Sequence, residues 1–426
     1  MTTNEELYER GLRVIPGGVN SPVRAFRSVG GVPYFVDRAE GAHVWDVEGR
    51  RFVDLVQSYG ASILGHAAPP VVAAVQDAVT RGSTYGAPTR GEVLLAETMC
   101  DRVPGLEQVR LVSSGTEAAM SAVRLARGAT GRRGVVKFAG NYHGHSDALL
   151  AAAGSGVAEG VLGTSSEPDS AGVTPGAVAD TIVVPYNVVP RLDDEVAVVC
   201  VEPVAANMGL VPPVPGFLEG LRAECDRVGA LLLFDEVITG FRVGRAGASE
   251  RLGVRPDVWC FGKVIGGGLP MGAFGGSAEI MSSIAPLGPV YQAGTLSGNP
   301  VATAAGSTVL SLLDEPAYER LESTAAALAT GLQLAFDAAG VPAVVPRFGP
   351  LVGLFFGTDR PVDFDGASRS VAAGRYPEFF HGMLDRGVAL APGPYEVMFP
   401  SLAHSAEDLE VVIGAAHEVA AVMAAG

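Results

Sequence analysis

The chain has 426 residues, of which 48% are hydrophobic, and its 30 basic and 46 acidic side chains give a formal net charge of −16. That length suits two or three domains or one large α/β body with appendages, and the apolar content suits a large buried core. The acidic balance provides no general positive field for nucleic acid or an anionic membrane, so an anionic substrate needs a local cationic pocket.

The segment MTTNEELYERGLRV carries acids and no apolar centre, so it is not read as a signal peptide. No apolar run nears the ~18 residues of a membrane span. Cys100, Cys200, Cys225 and Cys260 are scattered and form no CxxC pair, which points to free thiols in a reducing, cytoplasmic setting and to no zinc centre.

In chain order, residues 4–14 predict a short amphipathic helix ended by Pro16-Gly17-Gly18. The loop GGVNSPVRAF places Arg24 just after a Ser-Pro turn. Tyr34–Val36, His43–Asp46 and Arg51–Leu55 alternate as a small antiparallel meander. A helix starts at Pro69-Pro70 and closes at Gly82. Apolar strands at Gln108–Val112, Gly134–Phe138, Thr181–Val184, Val196–Val201, Ala230–Phe234 and Val258–Phe261 then alternate with helical segments. Such runs predict a mostly parallel sheet covered on both faces, with ligands at the carboxyl ends of its strands. Gly154 to Gly176 reads as a long functional loop. Asn299 to Leu313 reads as a helix broken at Asp314-Glu315-Pro316. A C-terminal α/β unit follows, with a helix near 317–339, strands near 351–356 and 395–399, and a last helix from about 405. The expected division is an N-terminal segment 1–65, a central domain 66–313 and a C-terminal α/β domain 314–426.

Several strand ends carry chemistry. The 30 basic residues include only two lysines, Lys137 and Lys263, and Lys263 ends an apolar strand ahead of three glycines. Only lysine offers a primary amine that desolvation turns into a Schiff-base nucleophile. Asp235 follows the apolar run LLLF. A carboxylate there needs a cationic partner, either an arginine such as Arg242 or the protonated ring nitrogen of a pyridine cofactor. Asp235 and Lys263 are 28 residues apart, about one strand–crossover–strand unit, so both can reach one crevice. SSGTEA forms a strand–turn–helix junction in which Ser114 and Glu117 fit a capping box and Gly115 allows close approach of an anion such as a phosphate. Tyr142 in NYHGHSD can stack on a flat ring, whereas His143 and His145 lack further spacing for zinc. GTLSGNP is a second Gly-Thr turn ahead of a helix. A lysine nucleophile, a buried carboxylate, an aromatic and phosphate turns together are what a pyridoxal 5'-phosphate enzyme needs.

The order SSGTEA, YHGHSD, VEPVAANMG, FDEVITGFR, FGKVIGGGLPMGAFGG and GTLSGNP resembles the class III aminotransferases of the fold-type I pyridoxal phosphate superfamily. GGVNSPVRAF, AGSGVA and TLSGNPVATAAG are similar to the aminomutases of that family that act on glutamate-1-semialdehyde, and the resemblance spans nearly the whole chain. It implies a large, mostly parallel sheet domain sandwiched by helices, plus a smaller α/β domain from the two chain ends. It further implies that Lys263 carries the cofactor and shuttles protons, that Asp235 pairs with the ring nitrogen and that Tyr142 stacks on the ring. Ser114, Gly115 and Thr116 would hold the phosphate, with His143, Asn207 and Val237 as lesser ring contacts. Gly294 and Thr295 would complete the phosphate site of a neighbouring subunit, making a homodimer with active sites at the interface. Arg24 would clamp the substrate carboxylate, near Ser155 and Glu396. The implied reaction cycles between pyridoxal and pyridoxamine 5'-phosphate and yields 5-aminolevulinate for tetrapyrrole synthesis, without nucleic acid or membrane partners.

Two stretches depart from the aminomutase pattern. SYGASILGH has Tyr59 where the family has tryptophan, and APGPYE has Gly393 where serine is more usual. Both border the substrate pocket in the family. A related aminotransferase or racemase acting on another amino acid is therefore the alternative reading.

Overall fold

The computed structural model describes residues 2–151 and 168–425. Near the start lie β1 (Val36–Glu40), β2 (His43–Asp46) and β3 (Arg51–Asp54). The large sheet contains β4 (Gln108–Val112), β5 (Gly134–Phe138), β6 (Thr181–Val184), β7 (Val196–Val201), β8 (Leu231–Glu236), β9 (Val258–Gly262) and β10 (Gly272–Gly276). Four two-residue strands, β11 (Ala343–Val344), β12 (Arg347–Phe348), β13 (Leu351–Val352) and β14 (Phe355–Phe356), precede β15 (Val388–Ala389).

The large sheet runs β4-β10-β9-β8-β7-β5-β6, and β10 alone is antiparallel to its neighbours. Every residue of β5, β7 and β9 is buried, which is why these strands read as nearly continuous apolar runs, interrupted in β5 by Lys137. On one face the helix Gly115–Thr130 packs with Ala118, Ala119, Ala122 and Ala126, small side chains that let it lie close to the strands.

β10 was not foreseen, and its composition explains why. Three of its five residues, in GAFGG, are glycine, a residue depleted from strand interiors. The structure requires them. A Cβ at Gly272 would lie 2.3 Å from the Ser114 carbonyl oxygen, and one at Gly275 would lie 2.3 Å from that of Gln108. The bare backbone of β10 therefore lets the Ser114 turn sit against the sheet.

The first meander strand begins at Val36, later than Tyr34–Val36 suggested, because β1 is a mostly exposed edge strand of polar sequence. The meander also gains a strand from the far end of the chain. β15 pairs parallel with β3, Val388 opposite Val53. One core accordingly mixes Phe26, Val29, Val53 and Leu55 with Leu328, Phe336, Phe380, Met383 and Val419. Residues 395–399 form no strand; Met398 makes only an isolated bridge to Val352. Asp314, expected as part of a break, is the N-cap of the long helix Glu315–Ala339, accepting from the Ala317 N–H.

Candidate active site

A cavity of about 410 Å³ lies at the carboxyl ends of β4, β5, β7, β8 and β9. It is lined by Ser114, Gly115, Thr116, Tyr142, His143, Asn207, Asp235, Val237 and Lys263, all singled out from sequence. Each follows or ends a strand, so the parallel sheet itself gathers residues that are far apart in the chain.

At one side is the start of the helix Gly115–Thr130. Ser114 Oγ accepts the Glu117 N–H at 3.2 Å, while Glu117 Oε2 reaches back to the Ser113 N–H at 2.7 Å, one residue earlier than a regular capping box. The N–H groups of Gly115 and Thr116 belong to the turn that a helix leaves without intrahelical acceptors, next to its positive dipole end. Gly144, at φ 81°, closes the Tyr142 loop onto this turn; a Cβ there would lie 2.5 Å from Thr116 Cα.

In the middle, Asp235 is the next-to-last residue of the buried strand β8. Its partner is His143, whose Nδ1 lies 2.8 Å from Asp235 Oδ2, and the Val237 N–H donates to Oδ1 at 3.1 Å. Arg242, the alternative partner, instead donates to the carbonyls of Gly60 and Pro400. His143 is buried, and its Nε2 has no protein hydrogen-bond partner.

Lys263 follows β9 in a left-handed conformation, φ 48°. Burial lowers the pKa of its amine, against the opposing charges of Glu396, Glu202 and Asp235. The other lysine, Lys137, is fully buried in β5 and donates to the carbonyls of Leu149 (3.2 Å) and Ala151 (2.7 Å). Burial pushes it down to about 8.

Sequence reasoning missed Glu202, although it follows the buried run of β7 as Asp235 follows the apolar residues of β8. It lines the cavity and accepts from the Tyr142 N–H (2.7 Å), Asn207 Nδ2 (3.0 Å) and the Ala206 N–H (2.9 Å). Burial raises its carboxyl to about 6 despite nearby His143. Glu202 thereby braces both Tyr142 and Asn207. Leu269, Pro270 and Met271 supply further apolar lining just ahead of β10.

The remaining candidates are not in the cavity wall. Tyr59 is half-buried, and burial together with the charge of Glu396 pushes its phenol up, while Arg24 opposes the shift. Glu396 is in turn the largest charge acting on Lys263, so Arg24, Tyr59, Glu396 and Lys263 share one electrostatic neighbourhood. Gly393 packs against Glu396 Cγ and Val23 Cγ2, each 3.4 Å from where its Cβ would stand. Gly294 and Thr295 are exposed. Ser155, and most of the loop 154–176, lie outside the described residues.

Tyr59 sits in an unusual turn. Gln57, Ser58, Tyr59 and Gly60 all have positive φ (44°, 54°, 56° and 96°), and each non-glycine residue in this region costs about 1 kcal/mol.

The donor set fits pyridoxal 5'-phosphate: a helix N-terminus for the phosphate, a carboxylate backed by histidine for a cationic ring nitrogen, and an amine of lowered pKa for the aldehyde. Comparison with known proteins agrees. The profile of the family Aminotransferase class-III matches residues 26–419. A curated glutamate-1-semialdehyde 2,1-aminomutase from Bordetella avium (strain 197N) is 52% identical over 433 residues, covering 100% of both chains. Among solved structures, an omega-transaminase from Sphaerobacter thermophilus superposes with a TM-score of 0.88 at 32% identity, covering 99% of this chain and 98% of that one. A lysine-to-alanine variant of a glutamate-1-semialdehyde aminomutase from Pseudomonas aeruginosa PAO1, in complex with PMP, gives 0.84 at 29% identity, covering 98% and 93%. The sheet, the lysine and the phosphate turn therefore have one common explanation: this chain belongs to the class III aminotransferase family.

Proposed function

We propose that the chain converts glutamate-1-semialdehyde to 5-aminolevulinate by moving an amino group between neighbouring carbons of one molecule, with pyridoxal and pyridoxamine 5'-phosphate as alternating cofactor forms. The observation that carries the reading is likeness over the full length, 52%, to a curated enzyme of that name, joined to a cavity holding Lys263, Asp235 and a helix N-terminus. When bound, the cofactor supplies a transferable amine and an electron sink.

The chain's residues divide the remaining work. The N–H groups of Gly115 and Thr116, with Ser114, hold the phosphate. Asp235, kept in place by His143 and the Val237 N–H, stabilises positive charge on the ring nitrogen. Tyr142 stacks on the ring, and Asn207 is set against it by Glu202. Lys263, whose amine burial shifts toward the neutral form, would attach the cofactor and move protons between neighbouring carbons of the substrate. Arg24 supplies the cationic pocket that the chain's net charge demands for an anionic substrate, and Tyr59 and Glu396 shape that side, where Ser155 is also assigned.

The assembly is a homodimer on this reading. The segments 83–97 and 286–299 border a second cavity of about 640 Å³, and their surface carries Val93, Leu94, Leu287 and Tyr291, the last two 76% and 71% exposed. Apolar exposure of this kind marks an interface. Gly294 and Thr295 stand on the same surface and serve the neighbouring subunit's phosphate. Sedimentation equilibrium is expected to give twice the mass of 43.7 kDa, and Tyr291→Asp to shift it toward monomer with loss of cofactor affinity. The four cysteines are free, in keeping with a cytoplasmic setting.

The reaction is tested with enzyme loaded with pyridoxamine 5'-phosphate and given glutamate-1-semialdehyde, with no amine donor or keto acid. The expected result is 5-aminolevulinate through many turnovers, because only internal exchange cycles without a second substrate. A single burst, with other amines still altering the cofactor absorbance, would overturn the substrate assignment in favour of an ordinary aminotransferase.

A further inference from the structure

Arg242 is one of the largest fully buried side chains, and among the described residues it has no ion pair. Its Nη2 donates to the Gly60 carbonyl at 2.8 Å and its Nη1 to the Pro400 carbonyl at 3.3 Å; its Nε has no partner, and the guanidinium lies 5.2 Å from the centre of the Phe399 ring. A buried cation held only by carbonyls is an expensive device, and what it grips here is the end of the left-handed run Gln57–Gly60.

That run is held at its other end by Asp54, whose carboxylate accepts the Val56 N–H (2.8 Å) and the Gln57 N–H (3.1 Å). His66 Nε2 fixes the same carboxylate at 2.7 Å. The Gly60 end rests on Phe399, 2.8 Å from where a Cβ would stand, so no side chain is tolerated there. The turn also lies beside Lys263–Gly266. A strained segment pinned at both ends, carrying Tyr59 and lying beside the lysine turn, is arranged to present a side chain in one place.

We propose that Arg242 is a positioning residue for substrate recognition: by bridging the Gly60 and Pro400 carbonyls it holds the Gln57–Gly60 turn, and with it Tyr59, at the substrate side of the Lys263 cavity. Lysine does not reproduce this bridge, because its donors all stand on one atom, whereas Nη1 and Nη2 of Arg242 reach the two carbonyls from separate atoms of a rigid planar fork. The substrate part of this inference rests on the reaction proposed above; the structural part does not.

Holoenzyme carrying Arg242→Met is compared with wild type by steady-state kinetics and by amide hydrogen exchange. KM for glutamate-1-semialdehyde is expected to rise about 10-fold with kcat within about 3-fold, the pattern of lost binding common to ground and transition states. The amides of Val56, Gln57, Ala61 and Ser62, which close this turn, are expected to exchange at least about 10-fold faster while the large sheet is unchanged. Adding Ser58→Gly, which removes the cost of one left-handed residue, should recover much of the KM. Where Arg242→Met does not fold, Arg242→Lys keeps the charge and breaks the bridge, and the same two readouts apply to it. Exchange that is unaltered at 56–62, or raised equally throughout the chain, overturns the proposal. If wild type does not turn over the semialdehyde at all, the reaction is wrong, and hydrogen exchange still decides the role of Arg242.

Discussion

Lys263→Ala is expected to lower turnover by at least about 10³-fold, in the range of a lost proton-transfer group with covalent attachment lost as well. The folded state should survive, because desolvation already disfavours the charged amine, and alanine removes that cost. The measurement has a second readout. Borohydride reduction of wild type is expected to fix one cofactor per chain, on the peptide carrying Lys263 and not on that carrying Lys137. The variant should fix none. Attachment at Lys137, or variant activity within about 10-fold of wild type, would refute the assignment of the nucleophile.

Asp235→Asn is the second large effect. The substitution preserves shape but removes the charge that faces His143 at 2.8 Å. A neutral amide cannot stabilise a protonated ring nitrogen, so kcat/KM is expected to fall by about 10²–10³-fold, the loss seen when one preorganised electrostatic partner is removed. That corresponds to about 3–4 kcal/mol of transition-state stabilisation. The amide can still meet His143 Nδ1, so thermal stability should change little beside the kinetic loss. Activity close to wild type would mean that the carboxylate serves folding alone.

The sequence was most legible where burial is total. The β5, β7 and β9 strands are covered on both faces, so their apolar runs were read with ends within a residue or so of those observed. The residues after them followed by the rule that parallel sheets place ligands at strand ends. β10 was hidden because close backbone approach selects glycine, which strand propensity counts as a breaker. β15 was hidden because two residues carry no pattern.

The site was legible as residue types and illegible as pairings. Nothing in the local sequence says that Asp235 meets His143, 92 residues away, rather than nearby Arg242. Glu202 carries the same signal as Asp235, an acid behind a buried strand, but its work is to brace Tyr142 and Asn207, and those pairings have no local sequence signature. The left-handed turn at 57–60 was invisible for another reason. Glutamine, serine and tyrosine do not announce positive φ; the local Asp54 carboxylate and the long-range contact with Arg242 hold the turn.

The scarcity of lysine has a consequence for an enzyme whose substrate and cofactor are both aldehydes. Aldehydes condense with any accessible neutral primary amine, and a protein surface rich in lysine would collect adducts during every encounter. Here Lys137 is sealed inside the sheet with its ammonium turned to two carbonyls, and the surface cations are arginines, whose guanidinium groups stay protonated. Lys263 is thus the one side-chain amine that an incoming carbonyl compound can reach. Among side-chain amines, condensation is thereby confined to the place where reaction is wanted.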